Sequence, residues 1–163
     1  MVRPAGLQDI DALVRIEELC FDRGRFRQDH LRWILTNERA VTLVEDNGSG
    51  LTGVLMLLFE GRVCRVLSVA VVPDARRRGL GTRLMQIAED VAMERGCASV
   101  RLEVSTQNLA AIELYRGLDY KLDGHLPRYY SWGEDAFSMH KPVREATPAS
   151  IATRAAAVED STI

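Results

Sequence analysis

The sequence predicts one α/β (α+β) domain, a three-layer αβα arrangement with a mixed, mostly antiparallel sheet between helices. Three observations lead there. Segments with apolar residues at helical spacing interleave with short apolar runs bounded by turn residues. Residues 62–104 read as strand, helix, strand, which demands a parallel pair joined by a right-handed crossover. The 163 residues suffice for one real core and are too few for two ordinary domains.

Residues 1–3 read as a short edge strand. Ile10, Leu13, Val14, Ile16, Leu19 and Cys20 recur with helical period, so 7–20 is expected to be an amphipathic helix. Leu31, Ile34 and Leu35 mark a second, shorter one. Residues 40–45 form a strand, Asp46-Asn47-Gly48-Ser49-Gly50 a hairpin turn, and 51–59 a long apolar strand with Gly53 as a candidate bulge. Glu60-Gly61 turns the chain into the strand 62–72, which Pro73 stops. A helix follows over 79–95, with Leu80, Leu84, Ile87, Ala88 and Val91 on one face and Gly96 beyond its end. A strand at 99–104, a helix at 109–118 and two strands near 120–124 and 134–140 complete the sheet. Residues 144–163 hold six alanines and no aromatic residue, with Pro142 and Pro148 around their start. The expectation is a domain of residues 1–143 and a flexible tail over 144–163.

Composition narrows the function. Apolar residues make up 47% and charged residues 27%, an ordinary globular balance. The net charge of −2 provides no basic field for sequence-independent nucleic-acid binding. No apolar run approaches the ~20 residues of a bilayer span, and no signal peptide is expected. Cys20, Cys64 and Cys97 are widely spaced, so neither a disulfide framework nor a metal site is expected. They read as small buried hydrophobes in a reducing, cytoplasmic setting. His30, His125 and His140 are scattered and receive no role.

The most informative stretch is Val69-Ala70-Val71-Val72-Pro73-Asp74-Ala75-Arg76-Arg77-Arg78-Gly79-Leu80-Gly81-Thr82. A strand ends at a proline, and a basic, glycine-spaced loop runs directly into a helix. A helix start offers unpaired N–H groups and partial positive charge. Gly79 and Gly81 allow close backbone approach to an anion. This suits a pyrophosphate cradle, against the alternative of a solvated basic turn. The segment is neither a Walker loop nor a Rossmann fingerprint.

With Arg76, Gly79 and Gly81 it resembles the Arg/Gln-x-x-Gly-x-Gly/Ala acetyl-CoA motif of the GNAT N-acetyltransferase superfamily. Leu102-Glu103-Val104 and Asn108 through Tyr115 resemble the strand and helix that follow there. Arg128-Tyr129-Tyr130 and Gly133-Glu134-Asp135-Ala136 bring the likeness closer to the protein N-terminal α-amine acetyltransferases, including the ribosomal-protein alanine (RimI-like) type. The resemblance covers roughly residues 1–142 and implies a GNAT-like sheet with a splayed parallel strand pair. Two departures stand out. Asp119 replaces the usual glycine of Leu-Gly-Phe/Tyr, in a position that tolerates a left-handed turn. Arg23-Gly24-Arg25 replaces a Pro-Trp-Ser-like stretch in the acceptor-side loop, leaving the exact acceptor open.

The resemblance implies acetyl-CoA as cosubstrate, no metal, and a protein or peptide N-terminus as acceptor for a monomer or weak dimer. It assigns the cofactor to Val69, Ala70 and Val71, to Arg76 through Thr82 (Arg77, Arg78, Gly79, Leu80 and Gly81 included), and to Asn108 and Tyr115. Glu103 becomes the general base and Tyr115 the donor to the departing sulfur. Phe21, Tyr129 and Tyr130 fall on the acceptor side. From the residues alone, Glu103 also fits an outward-facing strand glutamate and Tyr115 a core tyrosine. Tyr129 and Tyr130 fit packing over the sheet end equally well. Asn108 suits a helix cap in any case. Two other functions stay open: a GNAT enzyme acting on a small amine or lysine, and a non-catalytic acyl-CoA-binding module.

Overall fold

The computed structural model describes residues 1–143; the tail expected over 144–163 lies outside them. The described strands are β1 (Val2–Pro4), β2 (Ala40–Asp46), β3 (Leu51–Glu60), β4 (Val63–Val71), β5 (Ser99–Ser105), β6 (Lys121–Leu126) and β7 (Ala136–Pro142). The helices are α1 (Ile10–Cys20), α2 (Gln28–Thr36), α3 (Leu80–Glu94) and α4 (Leu109–Gly117). One mixed sheet runs in the order β1-β2-β3-β4-β5-β7-β6. Only β4 and β5 pair in parallel, with α3 as their crossover. None of the described helices is long and apolar enough to cross a membrane.

β3 shows why its sequence is apolar throughout. Val54 and Met56 pack with Leu13, Ile16, Leu31 and Ile34 of α1 and α2. Leu55, Leu57 and Phe59 pack with Leu84, Met85 and Ala88 of α3 on the other face. A strand covered on both faces reads as a run rather than an alternation. Each fully buried leucine here contributes roughly 2 kcal/mol relative to exposure. Gly53 is not itself the bulge. The extra residue is Thr52, because Glu45 faces Gly53 while Asp46 faces Leu51. A Cβ on Gly53 would stand 3.2 Å from Leu80 and 3.3 Å from Leu84, so the glycine admits α3 close to the sheet.

The first helix also differs from expectation. Leu7–Asp9 is a 3-10 turn and the α-helix begins at Ile10. The buried Asp9 carboxylate accepts the Gly6 N–H at 2.9 Å and both terminal nitrogens of Arg3 at 3.0 and 2.9 Å. Arg3 first, then the Gly6 N–H, hold its pKa below the usual carboxylate range. The cysteines are all free; Cys64 and Cys97 are buried, but Cys20 is only half-buried and its thiol approaches the Val71 carbonyl at 3.5 Å. Asp119 takes φ +70°, the left-handed turn expected of it.

Two features of β4 create an opening. Met56 faces Ser68 while Leu57 faces Val66, so Leu67 is an extra residue. This bulge reverses the alternation: Cys64 and Val66 face α3 before it, Val69 and Val71 after it. In addition, β4–β5 pairing covers Val63↔Ser99, Cys64↔Val100 and Arg65↔Arg101 and then stops, although both strands continue. The parallel pair splays into a V.

Candidate active site

The basic glycine loop follows β4 at the end where this V opens and leads into α3. Gly79 adopts φ +78° and caps α3 with no side-chain hydrogen bond, and no acidic residue occupies the first turn. Arg83 N–H makes the first intrahelical bond, to Gly79 O at 3.0 Å. The N–H groups of Leu80, Gly81 and Thr82 therefore have no intrahelical acceptor. Arg77 is itself left-handed at φ +65°, and Arg77 and Arg78 are exposed around this helix start. Open space surrounds Gly79, whereas a Cβ on Gly81 would touch Leu114 of α4 at 3.4 Å. Arg76 turns the other way and donates from Nε to Val71 O at 2.8 Å, bracing the end of β4.

The free edge of β4 continues from this loop. Val72 N–H donates to Thr52 O at 2.9 Å, so residue 72 points its backbone at β3. Backbone direction alternates along a strand. Ala70 consequently faces β3 opposite Val54, with its side chain buried under α1. Val69 and Val71 direct their backbone groups into the V. Of the three strand residues expected at the cofactor, these two have the right orientation and Ala70 has not.

Glu103 sits on β5 inside the V, on the face away from α3, with its side chain 23% exposed. It is not isolated: Arg65 donates from Nε to Oε2 at 3.2 Å and from Nη2 to the Tyr129 hydroxyl at 3.0 Å. Burial alone would lower the Arg65 pKa. Glu103, Tyr129 and Glu60 instead hold it above its usual range, so the guanidinium stays charged. Asn108 caps α4, its Oδ1 accepting the Ala111 N–H at 3.2 Å. Two turns on, Tyr115 is 7% exposed and meets Tyr120 edge-on at 6.0 Å. Burial first, and the neighbouring Tyr130 phenol second, raise the Tyr115 pKa. Tyr115 thus keeps its proton across the physiological range. Burial, with Tyr129, Glu103 and Glu134, pushes Tyr130 up to about 12.

The loop after α1 and the loop before β7 meet through aromatic packing. Tyr130 stacks on Trp132 at 4.6 Å and meets Tyr129 edge-on at 5.0 Å. Gly24, at φ +71°, lies under the Trp132 ring, and a Cβ there would be 2.5 Å from it. Phe21 is half-buried at the end of α1, and its carbonyl accepts from Arg25 Nε. Phe26 N–H donates to Glu17 Oε2 at 3.1 Å, while Glu17 Oε1 is buried without a hydrogen-bond partner. Burial pushes the Glu17 pKa up to about 7, against the opposing Phe26 N–H and Arg25. Asp135 secures the other loop, accepting Arg128 N–H at 2.9 Å and lying 2.8 Å from His125 Nε2.

Three of these residues were not singled out from the sequence: Arg65, Trp132 and Glu17; Glu134, quoted only within a motif, accepts from Ser105 Oγ at 3.3 Å. Arg65 alone left a signal, a charged residue between Cys64 and Val66 in an inner strand. His125 and His140, left without roles, pair with Asp135 and Asp123.

Residues 10–120 match the family model described as the acetyltransferase (GNAT) family. An N-alpha-acetyltransferase of Sulfurisphaera tokodaii is 31% identical over 157 residues, spanning 87% of this chain and 92% of its own. The catalytic subunit of the N-terminal acetyltransferase A complex of Arabidopsis thaliana is 30% identical, over 88% and 78%. The crystal structure of the ribosomal-protein-S18-alanine N-acetyltransferase of Escherichia coli superposes with a TM-score of 0.81 at 26% identity, over 91% and 96%. The splayed sheet, the glycine loop at the start of α3 and these likenesses agree: the chain belongs to the GNAT acetyltransferase family.

Proposed function

We propose that the protein acetylates the N-terminal α-amine of a protein or peptide, with acetyl-CoA as donor and both substrates bound together. One observation carries this reading: Glu103 lies inside a V whose other wall is the edge of β4 at Val69 and Val71, which β5 does not pair. The likeness to proteins named for N-terminal acetylation supports the acceptor class.

The residues suit the cosubstrate. The uncapped N–H groups of Leu80, Gly81 and Thr82, with Arg77 and Arg78 beside them, fit a pyrophosphate. The Val69 and Val71 edge would hold an amide-bearing arm as an added strand would. Bound acetyl-CoA supplies the thioester-activated acetyl group. A backbone N–H at Val69 or Val71 can polarise a carbonyl placed there. Glu103 can accept the amine proton through Oε1, since Arg65 engages Oε2. Tyr115, kept protonated, can return a proton to a departing thiolate. Phe21, Tyr129 and Tyr130 form the lip over the acceptor, Tyr129 with its hydroxyl on Arg65 and Tyr130 with its ring on Trp132.

An α-amine titrates near ~8 and a lysine amine near ~10.4, so only the former is appreciably neutral at pH 7.5. A modest base then suffices. The test is turnover of acetyl-CoA with peptides beginning Ala, Ser, Met and Gly, alongside lysine peptides and polyamines. α-Amine peptides should win. Preference for lysine or polyamine would overturn the acceptor class, and tight acetyl-CoA binding without turnover would indicate a binding module.

A further inference from the structure

We propose that Arg65 is a positioning residue, which aims the Glu103 carboxylate and ties it to the acceptor lip across the mouth of the V. The inference rests on Glu103 being the base.

Arg65 occupies the last register position at which β4 and β5 are joined, opposite Arg101. Beyond it no backbone hydrogen bond sets the distance between the strands, yet Glu103 lies two residues further along β5. The Leu67 bulge comes just after Arg65, so Arg65 stays on the face away from α3 and shares that face with Glu103. From there its planar fork spans three elements. Nε reaches Glu103 at 3.2 Å, Nη2 reaches Tyr129 at 3.0 Å, and Nη1 lies 3.7 Å from Glu60 at the end of β3. A guanidinium presents its donors at fixed angles, so the bond to Oε2 restrains the carboxylate and leaves Oε1 for the amine. Without that partner the Glu103 side chain would be free to rotate about its own bonds. Arg101, the other arginine on this face, cannot substitute. It is committed to Asp123 at 2.6 Å and Ser138 at 3.3 Å.

A kinetic double-mutant cycle tests this. Arg65→Gln should lower kcat about tenfold and raise the peptide KM severalfold, leaving the acetyl-CoA KM in place. Arg65→Lys, which reaches one partner but cannot fork, should recover part of the loss. In a Glu103→Gln background, Arg65→Gln should cost little further kcat, because the group it positions is gone. Fully additive losses, or wild-type kinetics for Arg65→Gln, would overturn the proposal. Wild-type kcat for Glu103→Gln alone would instead overturn the base assignment. If Arg65→Gln does not fold, Arg65→Lys runs the same cycle with a smaller coupling of the same sign. One readout needs no turnover: the Arg65 Nε–H NMR signal, identified by its loss in Arg65→Lys. It should be protected from exchange in the wild type and exposed in Glu103→Ala, which removes the acceptor; no change between the two would refute the pairing.

Discussion

Residues 76–82 present the proposed anchor from consecutive positions, whereas the proposed acceptor mouth takes Arg65 from β4, Glu103 from β5, Tyr115 from α4 and Tyr129 from the loop before β7. The anchor is made of backbone N–H groups, two glycines and exposed arginines, and needs no distant partner. The proposed mouth consists of side chains in contact with one another: Arg65 donates to Glu103 and Tyr129, Trp132 stacks on Tyr130, and a Cβ on Gly24 would meet the Trp132 ring. The difference teaches that binding and chemistry fail separately. Damage to the loop should appear in cofactor affinity, damage to the mouth in turnover and peptide KM.

The largest effect is expected at Glu103. Glu103→Gln should lower kcat by roughly 10²-fold or more, the scale of a lost general base, while acetyl-CoA binding by calorimetry is kept. Tyr115→Phe should lower kcat in the same direction. Near-wild-type kcat in both would mean that the mouth residues are structural and that the comparison breaks on that side.

Next comes pH, acting through the buried Glu17 of α1. The Glu17 carboxyl is 1% exposed and has a folded pKa of about 7 against 4.5 unperturbed. Between those values the folded state binds more protons than the unfolded one. The stabilisation from the protonated form is complete below about 4.5 and lost as pH rises through about 7. Glu17→Gln should therefore raise stability at pH 8 by roughly 2 kcal/mol and by much less at pH 5, read from urea unfolding. Equal gains at both pH values would show that Glu17 does not titrate in this range.

Gly81→Val addresses the anchor. It adds bulk where the backbone would approach the pyrophosphate and where Leu114 already lies near. Acetyl-CoA affinity should fall at least tenfold, about 1.4 kcal/mol. Unchanged affinity in a folded variant would refute the cradle.

The smallest effect is expected at Gly24. An alanine there meets the Trp132 ring and must also adopt a left-handed backbone, a cost of roughly 1–2 kcal/mol. Gly24→Ala should raise the peptide KM several-fold and leave acetyl-CoA affinity alone. A change in cofactor affinity instead would show that the two regions are coupled.

These contrasts match what could be read in advance. The glycine loop, the helix cap at Asn108 and the left-handed Asp119 are local, each set by residues within a few positions. Tyr129 and Tyr130 were visible as candidates, but the choice between clamp and packing was not. Tyr130 packs on Trp132, while Tyr129 is 42% exposed with its hydroxyl on Arg65. Arg65 looked like one polar residue in an inner strand because its partners are 38 and 64 residues away.

The amino-acid order by itself determined the succession of strands and helices, the parallel crossover and the glycine loop before α3. Hydrophobic period, turn chemistry and capping act over a few residues, and a reader of the chain sees them directly. Only the tertiary structure decided where β4 and β5 part, which strand residues face the gap, and which cation meets Glu103. The one-residue bulge at Leu67 reverses the facing of every later residue of β4, and no local preference announces it. It follows from fitting β4 against β3 while α1 and α3 compete for its two faces.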